Sequence, residues 1–359
     1  MLTGNNGLRR MNRRITSRSV YYASRSAERT QRRHNVPYNG IVNELRWHPL
    51  LREWVAVAAH RQDRPQMPAD WCPFCPGSGK VPEKYDVWLY PNDFAAFRLD
   101  NPPFSPETGL FKTTGARGAT DVVLYHSNHS LAPSQLSADH WRKVIGVWTR
   151  RLGEMKANPD IQYVYEFENT GTAIGVTMPH PHGQIYSFPF IPPLIQRELD
   201  AASDWYRDNK ECLHCRILRD EIQDGRRLVY ENASFVAFVP FCARFPGEMQ
   251  ICARRHFGDL EALTEAETKD LAEVIKIVRM KYDNHFGFPM PLMMILRQNP
   301  AKGEHPYFHF HIDFLPIQRS ATKLKYLAGV ETGAGTFLND TVAEDKARQF
   351  RETEPLKLE

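Results

Sequence analysis

The sequence predicts an α+β fold in which one unit is used twice. Three observations carry that expectation. There are two Cys-x-x-C pairs, Cys72-Pro-Phe-Cys75 and Cys212-Leu-His-Cys215, and two amphipathic helical stripes of identical spacing. There are also two His-x-His pairs, His180-Pro-His182 and His309-Phe-His311. All three features occur in the same order in each half of the 359-residue chain, which suggests a first half over 38–200 and a second over 201–359.

Residues 1–36 hold nine arginines, no lysine and one acid, Glu28, a net charge of +8. With a total of +4, the rest of the chain is mildly acidic at −4. An Arg- and Ser-rich, acid-poor stretch is also how organelle transit peptides read, but the preferred reading of 1–37 is a disordered basic extension, with Met11 as an alternative start. The acidic body argues against nucleic acid as a partner. No apolar run is long enough to span a bilayer. With 42% hydrophobic and 25% charged residues the composition is that of an ordinary soluble chain, expected in the cytoplasm.

Beyond each cysteine pair lies a matching segment, Asn92-Asp-Phe-Ala-Ala-Phe97 in one half and Asn232-Ala-Ser-Phe-Val-Ala-Phe238 in the other. Strand-like runs follow, Val122-Val-Leu-Tyr and Met249-Gln-Ile-Cys, leading to His129 and His256. Each half then has a helix, starting near Ser137 and at Thr264, where Thr264-Glu-Ala-Glu267 fits a capping box. The apolar stripes are Trp141, Val144, Ile145, Trp148, Leu152 and Leu271, Val274, Ile275, Val278, Tyr282. Both follow i, i+3, i+4, i+7, i+11, so each helix buries one face on a sheet. Next come further strand-like segments, the first being Tyr163-Val-Tyr-Glu-Phe-Glu before a turn at Asn169-Thr-Gly. Asn169 and Asn299 stand near the strand ends.

Positions 179–186 read Pro-His-Pro-His-Gly-Gln-Ile-Tyr. In an extended backbone, alternation puts His180, His182 and Gln184 on one face and Pro181 and Gly183 on the other. Gly183 adds no side chain, which lets a ligand or another backbone approach closely. A neutral imidazole attacks phosphorus without first losing a proton, and a primary amide beside it can donate to the phosphoryl oxygens.

In a chain of this size that reads as cytoplasmic, paired Cys-x-x-C motifs read as metal knuckles before disulfides. The repeat supplies the remaining ligands, Cys72, Cys75, His129 and His180 in one set and Cys212, Cys215, His256 and His309 in the other. Two sulfurs and two nitrogens suit zinc, so two structural ions per chain are expected. The halves then diverge. His182-Gly-Gln184 in the first becomes His311-Ile-Asp313 in the second, so the first half is expected to keep the chemistry and the second to be a structural copy.

The motifs Arg61-Gln-Asp-Arg64-Pro, Cys72-Pro-Phe-Cys75-Pro-Gly, Asn92-Asp-Phe-Ala-Ala, Glu168-Asn-Thr-Gly and His180-Pro-His-Gly-Gln make the chain from about Tyr38 onward resemble the galactose-1-phosphate uridylyltransferase family, within the histidine-triad superfamily. The resemblance implies a two-halved antiparallel sheet flanked by helices, and a homodimer with active sites at its interface. It implies a ping-pong reaction in which UDP-glucose uridylylates a histidine and galactose 1-phosphate then takes the UMP group. By matching motif, His182 is the nucleophile and Gln184 contacts the transferred phosphoryl group. Arg61 and Arg64 face the phosphates, Asn92 and Asp93 the uridine, and Asn169, Gly175 and Thr177 the diphosphate. Lys325, Tyr326 and Glu331 match a hexose-binding loop.

Two departures stand out. Phe337 replaces a glutamine that contacts the sugar in the best-known branch, which leaves the hexose open. That branch also builds its second metal site from a glutamate and histidines, which Glu198, His309 and His311 match, but another histidine is missing near Arg297-Gln298. The cysteine-based set is therefore preferred. Competing functions are an ADP-glucose phosphorylase or related nucleotidyltransferase, hydrolysis of the nucleotidyl-enzyme, and a zinc-stapled RNA-binding protein using the basic arm.

Overall fold

Alternation and apolar periodicity resolve into fourteen strands and five α-helices among residues 43–63 and 71–354, which this computed structural model describes. The basic extension and Arg64 lie outside the described residues. The first half contributes β1 (Glu44–His48), β2 (Glu53–Val57), β3 (Trp88–Pro91) and β4 (Thr113–Gly115). It continues with β5 (Ala119–Leu124), α1 (Ala138–Ala157), β6 (Tyr163–Thr170) and β7 (His182–Phe188). Helices α2 (Pro193–Asn209) and α3 (Leu213–Asp224) lead into β8 (Leu228–Glu231), β9 (Phe235–Phe238) and β10 (Met249–Ala253). Then come α4 (Glu265–Phe286), β11 (Leu292–Arg297), β12 (His311–Pro316), β13 (Gln318–Ser320), β14 (Lys323–Leu324) and α5 (Ala343–Glu352).

Nine of these strands make one antiparallel sheet in the order β3-β5-β7-β6-β11-β12-β10-β9-β8. The halves meet at its centre, where β6 and β11 pair from Phe167 opposite Ile295 to Thr170 opposite Leu292. No linker separates them. Helix α2 runs straight across residue 200, starting with Pro193, whose ring suits a first helical turn that needs no N–H. No described helix is long and apolar enough to cross a membrane.

Helices α1 and α4 start where the sequence places them. Ser137 Oγ accepts from His140 N, and Thr264 and Glu267 cap each other reciprocally. All ten stripe residues are buried, packed with Val123, Val164 and Ile185 of the first half and Ile251, Ile312 and Phe314 of the second. At roughly 1.5–3 kcal/mol per large apolar side chain, this shared core is the main force joining the halves.

One local expectation fails. The strand leading to the site does not turn at Asn169. Instead Asn169 stays in the ladder opposite Met293, and the turn falls at Gly171. Gly171 has φ +93°, and a Cβ there would meet Pro291 at 3.0 Å, so the close approach of Pro291 sets the turn one residue beyond the strand end.

Candidate active site

Strand β7 lies between β5 and β6, and its residues alternate as expected: Gly183 and Ile185 face the helices, while His182 and Gln184 face the other side and are half-buried. His182 Nδ1 lies 2.7 Å from the His180 carbonyl oxygen. A carbonyl only accepts, so Nδ1 carries the proton and the lone pair is on Nε2. Phe74, from the first cysteine knuckle, packs its ring 5.8 Å from that of His182.

His182 stands where two cavities meet. One, of about 480 Å³, also contains Gln184, Asn92 and Asp93, with apolar walls from Phe74, Tyr90 and Met178 and a cation from Lys80. The other, of about 430 Å³, contains Asn169. The Asn92 side chain accepts from Phe94 N at 2.9 Å, and Asp93 accepts from the Tyr90 hydroxyl at 2.7 Å. A largely apolar pocket with a few directed polar groups is the usual form of a nucleotide or cofactor site. Phe74, Tyr90, Lys80 and Met178 were not read from the sequence. Only Phe74, inside the knuckle beside the ligand pair, carried a signal that could have found it.

Gly183 is required, but for a reason other than ligand approach. A Cβ there would lie 2.2 Å from the Tyr125 hydroxyl and 3.2 Å from the Phe167 carbonyl oxygen, on the helix side of the sheet. Gly183→Ala is therefore expected to displace β7 or Tyr125 and to lower any catalysis that depends on the aim of His182 and Gln184 by about a hundred-fold, because small misalignments of reacting groups are costly. Steady-state kinetics would check this, and wild-type kcat in that variant would contradict it.

His180 does not point with His182. The chain bends ahead of β7, and the His180 ring turns to the cysteines, with Nδ1 at 3.8 Å from Cys72 Sγ and 3.7 Å from Cys75 Sγ. Its Nε2 lies 2.8 Å from the His126 carbonyl oxygen, which leaves Nδ1 to offer a lone pair, and burial lowers its pKa to about 4. His129 Nδ1 is 3.4 Å from Cys75 Sγ. In the second set His309 Nδ1 is 3.9 and 3.3 Å from Cys212 and Cys215, and His256 Nδ1 is 3.5 Å from Cys215. The ligand atoms of each set lie within 4.8 Å of one another. A tetrahedral ion bound at about 2.3 Å to sulfur and 2.1 Å to nitrogen separates those atoms by about 3.6 Å. Both sets therefore have the dimensions of a metal site.

The two halves repeat down to single hydrogen bonds. His311 Nδ1 meets the His309 carbonyl as His182 meets that of His180, and His309 Nε2 meets the Ala253 carbonyl as His180 meets that of His126. The sheet register makes Arg297, opposite His311, the counterpart of Asn169, rather than Asn299. Asn299 lies beyond the strand, with its N–H on the Gly258 carbonyl.

In the second half this would-be site is filled. His214 stacks on His311 at 4.1 Å, and Arg297 pairs with Asp313 at 2.8 Å and Glu198 at 3.5 Å. Burial opposes ionisation of Asp313, but Arg297 prevails and holds it at about 2. Helices α2 and α3 cover this face through Leu199 and Leu218. A carboxylate where the first half has an amide, under a closed roof, leaves no place for a phosphate. Glu198 and His311 are thus committed to this buried network, whereas His309 joins the cysteines.

Other expected site residues are not among those that line the two cavities at His182. Arg61 donates to the Phe94 carbonyl at 2.7 Å and lines a separate cavity with Trp54, Tyr186 and Phe188. Lys325 is buried and bonds Glu331 at 2.7 Å and the Leu338 carbonyl at 2.6 Å, whereas Tyr326 is 73% exposed. Gly175 ends the short turn Thr172–Ile174, and Thr177 Oγ1 makes no hydrogen bond among the described residues. Their neighbours Val176 and Met178 line the cavity that holds Asn169.

Comparisons with known proteins agree with this architecture. The family model for the galactose-1-phosphate uridyl transferase N-terminal domain matches residues 29–192, and that for the C-terminal domain matches residues 198–358. A galactose-1-phosphate uridylyltransferase of Thermotoga maritima is 40% identical over 315 residues, covering 87% of this chain and 98% of its own. A solved uridylyltransferase structure matches with a TM-score of 0.80 at 35% identity, covering 86% of this chain and 98% of its own. The structure of an ADP-glucose phosphorylase from Arabidopsis thaliana with bound ADP-glucose gives 0.68 at 23% identity, covering 87% and 99%, a likeness of fold.

Proposed function

Because this chain belongs to the galactose-1-phosphate uridylyltransferase family, we propose that His182 carries UMP from UDP-glucose to galactose 1-phosphate. Nε2 attacks the α-phosphorus, a nitrogen–phosphorus bond forms, and the bond to the bridging oxygen breaks to release glucose 1-phosphate. An oxygen of the galactose 1-phosphate phosphate then attacks the same phosphorus, which yields UDP-galactose and restores the imidazole. The observation that carries this reading is the His182 Nδ1 contact with the His180 carbonyl, which assigns the lone pair to Nε2 beside Gln184.

Gln184 donates to the phosphoryl oxygens as charge builds there. Asn92 and Asp93 hold the uridine in the cavity walled by Phe74 and Tyr90. Zinc fits both Cys2His2 sets, and its contribution when bound is structural, holding the knuckles and the His180 segment in place. The chain works as a homodimer. Supporting this, Arg61, Lys325 and Glu331 do not line either cavity at His182, while Leu327, Val330 and Leu338 of the same loop are exposed. A second copy supplies those phosphate and hexose contacts.

Intact-protein mass after brief incubation with UDP-glucose, without acceptor, tests the reading. A gain of one UMP per chain, discharged by galactose 1-phosphate, is expected. A gain of AMP from ADP-glucose, with none from UDP-glucose, would transfer the assignment to an ADP-glucose phosphorylase. Nucleotide release with no adduct would point to hydrolysis.

A further inference from the structure

A buried polar group lies behind the strand that carries His182. On the helix side of β7, Gly183 rests against the Tyr125 hydroxyl, within the space a Cβ would need. Next to it on β6 is Glu168, between Phe167, which pairs opposite Gln184, and Asn169 of the cavity beside His182. Arg279 of α4 reaches Glu168 Oε1 at 2.6 Å and Thr170 Oγ1 at 3.0 Å, and the Thr170 hydroxyl itself donates to Glu168. The Arg279 and Glu168 side chains are 3% and 1% exposed. The Glu168 carboxylate also faces the Tyr125 hydroxyl, while Arg279 Nη1 is buried with no hydrogen bond among the described residues. Burial, and then the Glu168 charge, keep the Tyr125 phenol protonated.

Stability alone does not account for this arrangement. Desolvation offsets most of the attraction in a buried ion pair, and apolar side chains of the same size would hold α4 against β6 as well or better. What a directional pair adds is a unique geometry. Here the geometry bears on the backbone between the nucleophile and the amide, and it ties a helix of the second half to a strand of the first. Glu168 and Thr170 also form part of the wall of the cavity that His182 shares.

We propose that Arg279, Glu168 and Tyr125 act as one positioning unit that sets the aim of the His182 imidazole through β6 and Gly183. The proposal rests on the reading of His182 as the nucleophile. The second half then contributes to the chemistry although its own site is filled.

The test is the single-turnover rate of UMP transfer from UDP-glucose onto the full-length, metal-loaded protein, measured by rapid quench and intact mass. Wild type is compared with Glu168→Gln, Arg279→Lys, the double variant and Tyr125→Phe. Glu168→Gln and Arg279→Lys are each expected to slow adduct formation by about ten-fold or more. The final adduct yield, metal content and KM should stay within about two-fold of wild type, and the double variant should be no slower than the slower single, as for residues acting together. A purely structural role would lower the yield and leave the rate of the folded fraction unchanged, which overturns the proposal. If the charge variants do not fold, Tyr125→Phe, which removes one oxygen, decides: slowing by about three-fold or more supports the unit, and a wild-type rate overturns it. Normal adduct formation in every variant overturns this proposal alone, whereas no adduct in wild type overturns the reading of His182 and this unit with it.

Discussion

Replacing His182 by alanine abolishes uridylyl transfer while leaving fold and metal content intact. The two-step route depends on a nitrogen that forms a bond to phosphorus, and among the described residues of the first half no other side chain offers an imidazole at the junction of the two cavities with its Nδ1 fixed by a carbonyl. His180, two residues earlier, is directed to Cys72 and Cys75, and His129, which edges one cavity, to Cys75. Loss of a covalent nucleophile costs about 10⁴-fold or more in kcat. The fold should persist because His182 is only half-buried and is not among the metal-binding sets. The measurements are kcat for UDP-galactose formation, intact mass after UDP-glucose, and metal per chain. Turnover within ten-fold of wild type would remove His182 from the mechanism.

Cys212→Ser separates the two metal sites. Wild type is expected to hold two zinc ions per chain and this variant one, because a serine hydroxyl is a poor substitute for a thiolate. Metal binding at such a site is folding free energy, so the thermal midpoint should fall by roughly 5–10 °C. Turnover at 25 °C should stay within about three-fold of wild type, since the histidine next along from His309 is His311, sealed under His214. Cys72→Ser should behave differently. Its partner His180 is two residues from His182 and supplies the carbonyl that orients the nucleophile, so both stability and transfer rate should fall, the latter by about a hundred-fold. Equal losses of activity in both variants would contradict the division of labour between the halves.

The features legible in the sequence share a cause, which is repetition at short range. Helical stripes follow from a period of 3.6 and caps from a single turn, so α1 and α4 start at the residues expected. The face shared by His182 and Gln184 follows from a period of two. The two Cys/His groups followed because each half repeats the same order of residues, and two copies constrain one another. Where the repeat decays it misleads. Asn299 matches Asn169 in type and rough position, but strand register, a property of hydrogen bonding between β11 and β12, gives Arg297 instead.

Spacing along the chain was enough to read the α+β unit and its duplication, the two groups of two cysteines and two histidines, and the face that His182 and Gln184 share. What lies across from them depends on contacts between distant segments. Tertiary structure put Phe74, Tyr90 and Lys80 around His182, closed the second site with α2 and α3, and set the Tyr125 hydroxyl against Gly183. It also paired Glu168 with Arg279, 111 residues further along. It left Arg61, Lys325 and Glu331 off the walls of the two cavities at His182. These contacts join segments far apart in sequence, and packing of the shared core selects them. Local periodicity states which face a residue presents and leaves open what meets that face.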